Sequence, residues 1–196
     1  MQTSDSSDWI IRPVREADAP QLAAIYAPYV EQTAITFEYL APTAEEFRQR
    51  IHNTLSFYPY LAAERDGTLL GYAYAGPFKA RAAYAWSVET TIYVAMEQHR
   101  SGVGRSLYLA LEEALKHQGI LNLNACIACP RSESDPYLDR SSILFHEQLG
   151  YVQTAHFHNC ASKFGRWYDM VWMEKPIGEH VENPAPPVPY RTVQET

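Results

Sequence analysis

Ile92-Tyr-Val-Ala-Met-Glu-Gln-His-Arg-Ser-Gly-Val-Gly-Arg105 is the stretch on which the reading of this chain turns. A strand-like run ends in it, a loop marked by two glycines follows, and an amphipathic helix begins at once. That helix carries Val103, Leu107, Leu111 and Leu115 at three-to-four spacing, one apolar stripe to lay on a sheet. The first amides of a helix have no acceptor of their own, and that end carries partial positive charge. Gly102 and Gly104 let a ligand approach the backbone, so the loop reads as a cradle for a phosphate or pyrophosphate. Arg100 and Arg105 place cationic side chains beside it. Two other phosphate loops do not fit. A P-loop needs Lys followed by Ser or Thr after its last glycine, and neither pair occurs here. The dinucleotide fingerprint needs a third glycine where Leu107 stands.

Working outward, the pattern predicts β-α-α-β-β-β-α-β-α-β-β. Trp9–Val14 reads as a short strand, Asp18 as the cap of a helix through Tyr29, and Thr43-Ala-Glu-Glu46 as a capping box opening a helix over 44–57. Tyr60–Arg65 and Thr68–Ala75 form a hairpin through Asp66-Gly67. Trp86–Val94 and Leu121–Cys129 are further strands, Ser141–Leu149 is a short helix, and Tyr151–His158 and Tyr168–Glu174 close the sheet. Hairpins mixed with single crossovers predict a mixed sheet and an α+β or three-layer α/β class. Residues 1–8 read as a frayed, disordered polar tail, 9–175 as one domain, and the Pro-rich 176–196 as an extended tail, disordered or packed on a neighbour.

Composition narrows the function classes. A length of 196 residues with 46% hydrophobic content suits one core. The net charge of −7 and the lack of a Lys/Arg run argue against nucleic acid as partner. The chain has no apolar run long enough for a membrane span and no signal-peptide pattern at its start, so the expectation is a cytoplasmic protein. Three cysteines are too few for a disulfide framework. Cys126 and Cys129 form a C-x-x-C, but three residues apart on a strand they face opposite sides. His156, His158 and Cys160 share a strand face, yet no carboxylate nearby in the sequence completes a metal set, and none is expected.

Glu89 stands out chemically. It sits inside a β-branched strand, where Glu is a poor resident, and shares a face with Ser87, Thr91 and Tyr93. Trp86-Ser-Val-Glu-Thr-Thr-Ile-Tyr-Val94, His99–Gly104, Phe145-His-Glu-Gln-Leu-Gly-Tyr151 and Lys163-Phe-Gly-Arg-Trp-Tyr-Asp169, with Ala34-Ile-Thr-Phe-Glu38 before them, resemble the GNAT acetyltransferase superfamily. The resemblance is closest to its phosphinothricin N-acetyltransferase-like branch. His99 departs from that pattern, where Gln or Arg is usual, and Asp139 stands in place of an Asn.

The resemblance implies a GNAT-like mixed, mostly antiparallel twisted sheet flanked by helices. It implies acetyl-CoA as donor, the primary amine of a small amino-acid-like molecule as acceptor, and a homodimer. Glu89 would be the general base, acting directly or through a water. His146 would protonate the departing thiolate or bind the acceptor carboxylate. Ile92, Tyr93 and Val94 would lend backbone groups to the pantetheine arm, the loop from Arg100 through Ser101, Gly102, Val103 and Gly104 to Arg105 would hold the diphosphate, and Ser142 would touch the cofactor. Phe37, Tyr74, Arg81, Tyr84 and Lys163 are the candidate acceptor residues. Among the alternatives, a non-catalytic acyl-CoA-binding module would need no carboxylate at Glu89, while the acceptor could also be a polyamine or a protein N-terminus.

Overall fold

In the computed structural model, which describes residues 8–191, the chain forms one seven-stranded sheet with helices on both faces. In chain order the elements are β1 (Ile10–Pro13), α1 (Ala19–Gln32), α2 (Ala44–Leu55), β2 (Tyr60–Arg65), β3 (Thr68–Pro77), β4 (Ser87–Val94), α3 (Val103–Gln118), β5 (Asn122–Cys129), α4 (Ser141–Gln148), β6 (Val152–Lys163) and β7 (Arg166–Pro176). The strands lie in the order β1-β2-β3-β4-β5-β7-β6. All neighbours are antiparallel except β4 and β5, joined through α3. The expected mixed, mostly antiparallel sheet is what forms.

Two cores follow from alternation along the central strands. Tyr60, Ala62 and Tyr72 pack with Leu22, Tyr26 and Ile51 of α1 and α2. Leu61, Ala63 and Ala73 point the other way, onto Val103, Leu107, Leu111 and Leu115 of α3, the stripe read from periodicity. The capping box is present: Thr43 N–H donates to Glu46 Oε2 at 2.6 Å and Glu46 N–H to Thr43 Oγ1 at 3.2 Å.

Three expectations need correction. Asp18 does not cap α1 with its side chain. Its carboxylate bonds backwards, accepting from Arg15 N–H at 2.7 Å and from Arg12 at 2.7 and 2.9 Å. The closing strands are longer than expected, because Phe164-Gly165 forms a two-residue turn with both residues at positive φ, +51° and +71°. Those angles suit a twisted hairpin, but Phe in the left-handed region is no sequence signal. The Pro-rich tail, read as disordered or packed on a neighbour, lies on its own chain as far as it is described. Val188 N–H donates to Gln118 O at 2.9 Å, Trp86 Nε1 to Ala185 O at 2.8 Å, and Tyr190 is buried. The polar tail read at 1–8 falls outside the described residues except for Asp8.

Candidate active site

The site begins where the sheet fails to close. β4 and β5 pair only over Ser87–Glu89 and Asn122–Asn124, although β4 runs on to Val94 and β5 to Cys129. Side chains finish the ladder at the fork. Asn124 Nδ2 donates to Val88 O at 3.1 Å, and Thr90 Oγ1 donates to Asn124 O at 3.2 Å. Beyond them the strands part around a cleft of about 240 Å³, lined by residues 89–93 of β4 and 125–128 of β5. Ile35, Thr36, Tyr74, Tyr108, Leu138, Ser142 and His146 close its walls. A parallel pair opened at its carboxyl ends leaves a strand edge free for a ligand that carries its own amides.

The glycine loop lies directly after β4. Gly102 has φ +97°, in the left-handed region, and α3 starts at the next residue. The Val103 amide is met by Ser101 Oγ at 3.4 Å, while those of Gly104 and Arg105 have no acceptor within the helix. Gly104 has a packing reason as well: a Cβ there would lie 3.3 Å from Phe145 of α4. His99 is bound to the fold, its Nε2 2.6 Å from the Tyr29 hydroxyl. Tyr29 also donates to Val94 O, so one lone pair of that carbonyl is already used within the fold. Asp139 accepts from Ser141 N–H at 2.9 Å and so tethers the start of α4. The residues thus suit a pyrophosphate-bearing cofactor with an amide-bearing arm, held by the loop and by the β4 edge.

Glu89 stands at the fork, half-buried, facing the cleft. Burial raises its carboxyl above the usual range, with Lys79's charge pulling modestly the other way. His146 is buried, and both ring nitrogens are engaged. Nδ1 lies 2.7 Å from Ser142 O, which can only accept, so it carries the proton; Nε2 then accepts from the Tyr108 hydroxyl at 2.8 Å. Burial lowers its pKa and favours that neutral form. The Thr90 hydroxyl, 3.4 Å from that of Tyr108 and 3.1 Å from that of Tyr151, extends the chain.

The structure separates the five acceptor candidates. Tyr74 lines the cleft. Phe37 does not line it but packs in a cluster with Ala128 and Leu138, which do, its ring 6.1 Å from Tyr168. Arg81 and Tyr84 sit exposed on the β3–β4 connection and do not line the cleft. Lys163 is a fold residue: it is 3% exposed, and Nζ donates to Thr33 O at 2.8 Å and Thr36 O at 2.7 Å. It holds the loop that brings Ile35 and Thr36 to the cleft. Tyr108 and Asn124 were missed by the sequence reading, and Cys126 was read only as half of a C-x-x-C, since which elements lie opposite them brings each to the site. The expectation that no carboxylate accompanies His156 and His158 is also overturned, by Asp169 from β7.

A crossover helix beginning at a glycine loop, beside a forked parallel pair, suits a cofactor that carries a diphosphate and an amide-bearing arm, a class to which CoA belongs. Comparison with known proteins makes the class specific. Residues 11–172 match the family described as acetyltransferase (GNAT) domain. A phosphinothricin N-acetyltransferase of Streptomyces viridochromogenes is 35% identical, with 94% of each chain covered. An L-methionine sulfoximine/L-methionine sulfone acetyltransferase of Salmonella typhimurium is 28% identical, covering 87% of this chain and 95% of its own. The crystal structure of a GNAT superfamily phosphinothricin acetyltransferase from Sinorhizobium meliloti in complex with AcCoA superposes with TM-score 0.80 at 29% identity, covering 94% and 99%. The chain belongs to the GNAT acetyltransferase family and is an N-acetyltransferase that uses acetyl-CoA.

Proposed function

We propose that this enzyme acetylates the primary amine of a small amino-acid-like acceptor of the phosphinothricin or methionine-sulfoximine type, by direct transfer. Acetyl-CoA supplies the acetyl group as a thioester. In this reading the amides of Gly102 to Arg105 and the side chains of Arg100 and Arg105 take the diphosphate, the main chain of Ile92 and Tyr93 takes the pantetheine arm, and Ser142 borders it. Val94 lends its main chain as well: Tyr29 meets one lone pair of its carbonyl and leaves the other for the arm.

Glu89 carries the reading. An ammonium group has no lone pair, and an amine of pKa ~8 is only about one-tenth free base at pH 7. A half-buried carboxylate with a raised pKa, facing the cleft, is placed to accept that proton directly or through a water. Because His146 uses both nitrogens inside the protein, it is not free to grip an acceptor carboxylate. Its part is to hold the Tyr108 hydroxyl at the cleft wall; that hydroxyl turns its proton from His146 to the departing thiolate and is refilled by the proton Glu89 took from the amine. Cys126 also reaches the cleft, but burial and the charge of Glu89 push its thiol up to about 12, so an acyl-cysteine detour is disfavoured.

Tyr74 borders the acceptor and Phe37 backs the cleft wall at Ala128 and Leu138; Arg81, Tyr84 and Lys163 are not assigned to it. Homodimer formation is part of the proposal, supported by three large apolar side chains exposed together on the β6–β7 hairpin, Phe157, Phe164 and Trp167. A cytoplasmic site of action is part of the proposal; among the described residues no helix is long and apolar enough to cross a membrane. The test is release of free CoA across a panel of amines that includes phosphinothricin, methionine sulfoximine, a polyamine and an N-terminal peptide. Turnover confined to the last two would overturn the acceptor class.

A further inference from the structure

The β6–β7 hairpin contains a group of side chains that acetyl transfer does not use. β6 pairs Phe157 with Met170 and Ala161 with Tyr168, so three residues of β6 bulge around a single residue of β7, Asp169. Asn159, at the centre of the bulge, has φ +51°, and its N–H donates to Asp169 Oδ1 at 2.8 Å. The other oxygen, Oδ2, faces two imidazoles: His156 Nε2 at 2.9 Å and His158 Nδ1 at 3.1 Å. The two rings lie 4.3 Å apart, and all three donor atoms fall within 4.8 Å of one another. Asp169 is 6% exposed, while the imidazoles reach solvent.

We propose that His156, His158 and Asp169 form a binding site for one divalent transition-metal ion, with zinc the first candidate. Two imidazole nitrogens and one carboxylate oxygen are a zinc-type donor set; calcium and magnesium prefer all-oxygen shells. A tetrahedral ion with bonds of about 2.0–2.1 Å separates its ligand atoms by about 3.3 Å, so the two nitrogen–oxygen gaps of 2.9 and 3.1 Å need to open by only a few tenths of an ångström, and the two nitrogens already lie within 4.8 Å of each other. On binding, His156 Nε2 and His158 Nδ1 each turn a lone pair to the ion, and the ring proton stands on the other nitrogen of each imidazole. The Asn159 amide fixes the carboxylate, as a supporting hydrogen bond does in metal sites. The exposed imidazoles leave the fourth position to water. Arg131, with Nε 3.9 Å from Oδ1, is more than half exposed and able to swing away. None of the three ligands lines the acetyl-transfer cleft, so the ion would act as a staple across the hairpin.

The test uses the full chain after chelator treatment and dialysis. Cobalt(II) is titrated and followed by visible absorption, and zinc chloride is titrated by calorimetry near neutral pH. The expected result is one equivalent bound, with a cobalt spectrum lacking a thiolate charge-transfer band, and a melting temperature that rises with zinc. His156→Asn and His158→Asn, both at solvent-reaching positions, should each lose that equivalent and the thermal shift. Lack of saturable binding below millimolar zinc in the unaltered protein would overturn the proposal. So would undiminished binding in both variants, or a thiolate band placing the ion on the cysteines.

Discussion

Replacing Glu89 by Gln keeps the shape of the side chain and removes its basicity. A placed general base contributes about 10²–10⁴-fold, equivalent to about 2.7–5.5 kcal/mol of barrier. The deficit should depend on pH. The variant works only on acceptor that is already free base, so its kcat climbs about tenfold per pH unit until the amine pKa is passed. An acceptor of pKa ~8 therefore shows a deficit about tenfold larger at pH 7 than at pH 9. The unaltered enzyme instead falls off on the acid side, where Glu89 gains a proton, and burial brings that limb to higher pH than for an ordinary carboxylate. Stability should move the opposite way. The folded-state pKa of Glu89 lies above its unfolded value, so the folded protein binds more protons between the two. Stability then falls as pH rises through that window, and the charged form is held at a cost near neutrality. Glu89→Gln should therefore melt higher at pH 7.5 while turning over slowly. Steady-state rates from pH 6 to 9.5, with melting curves at each pH, provide the assay. A parallel pH profile in the two proteins, with no gain in melting temperature, would refute Glu89 as the base.

Lys163→Met leaves the carbonyls of Thr33 and Thr36 without their donor and should cost about 2–4 kcal/mol in urea unfolding, net of the relief of desolvating no ammonium; unchanged stability with a raised acceptor KM would instead restore Lys163 as an acceptor ligand. Tyr108→Phe removes the hydroxyl bonded to His146 and should lower kcat by about 10² at unaltered acetyl-CoA affinity, and an unchanged kcat would remove Tyr108 from the proton path. Gly102→Asp puts a side chain at φ +97° and a negative charge beside the diphosphate; CoA affinity by calorimetry should drop at least about tenfold, and equal affinity would contradict the loop assignment.

What was legible in the sequence was local. The stripe Val103, Leu107, Leu111 and Leu115 marks α3, Thr43 and Glu46 mark the start of α2, and Asp66-Gly67 marks a turn with both residues at positive φ. These signals depend on periodicity and on neighbours in the chain. The fork between β4 and β5 depends on which strands pair and where pairing stops, and nothing near Glu89 in sequence reports that. Lys163 shows the limit well. It reads as a candidate for the acceptor, yet a loop about 130 residues earlier in the chain supplies the two carbonyls that bury it. Asp169 is the same case, since only the bulge at 158–160 turns it into a partner for two histidines.

The central claim is that the forked strands and the loop after β4 form the seat of the acyl donor. A crystal structure with CoA tests it most directly. The account predicts the diphosphate on the amides between Gly102 and Arg105, with the pantetheine arm along the β4 edge from Thr90 to Val94 and its sulfur near Glu89 and Tyr108. A diphosphate bound elsewhere, or an arm that bypasses the fork, would contradict it.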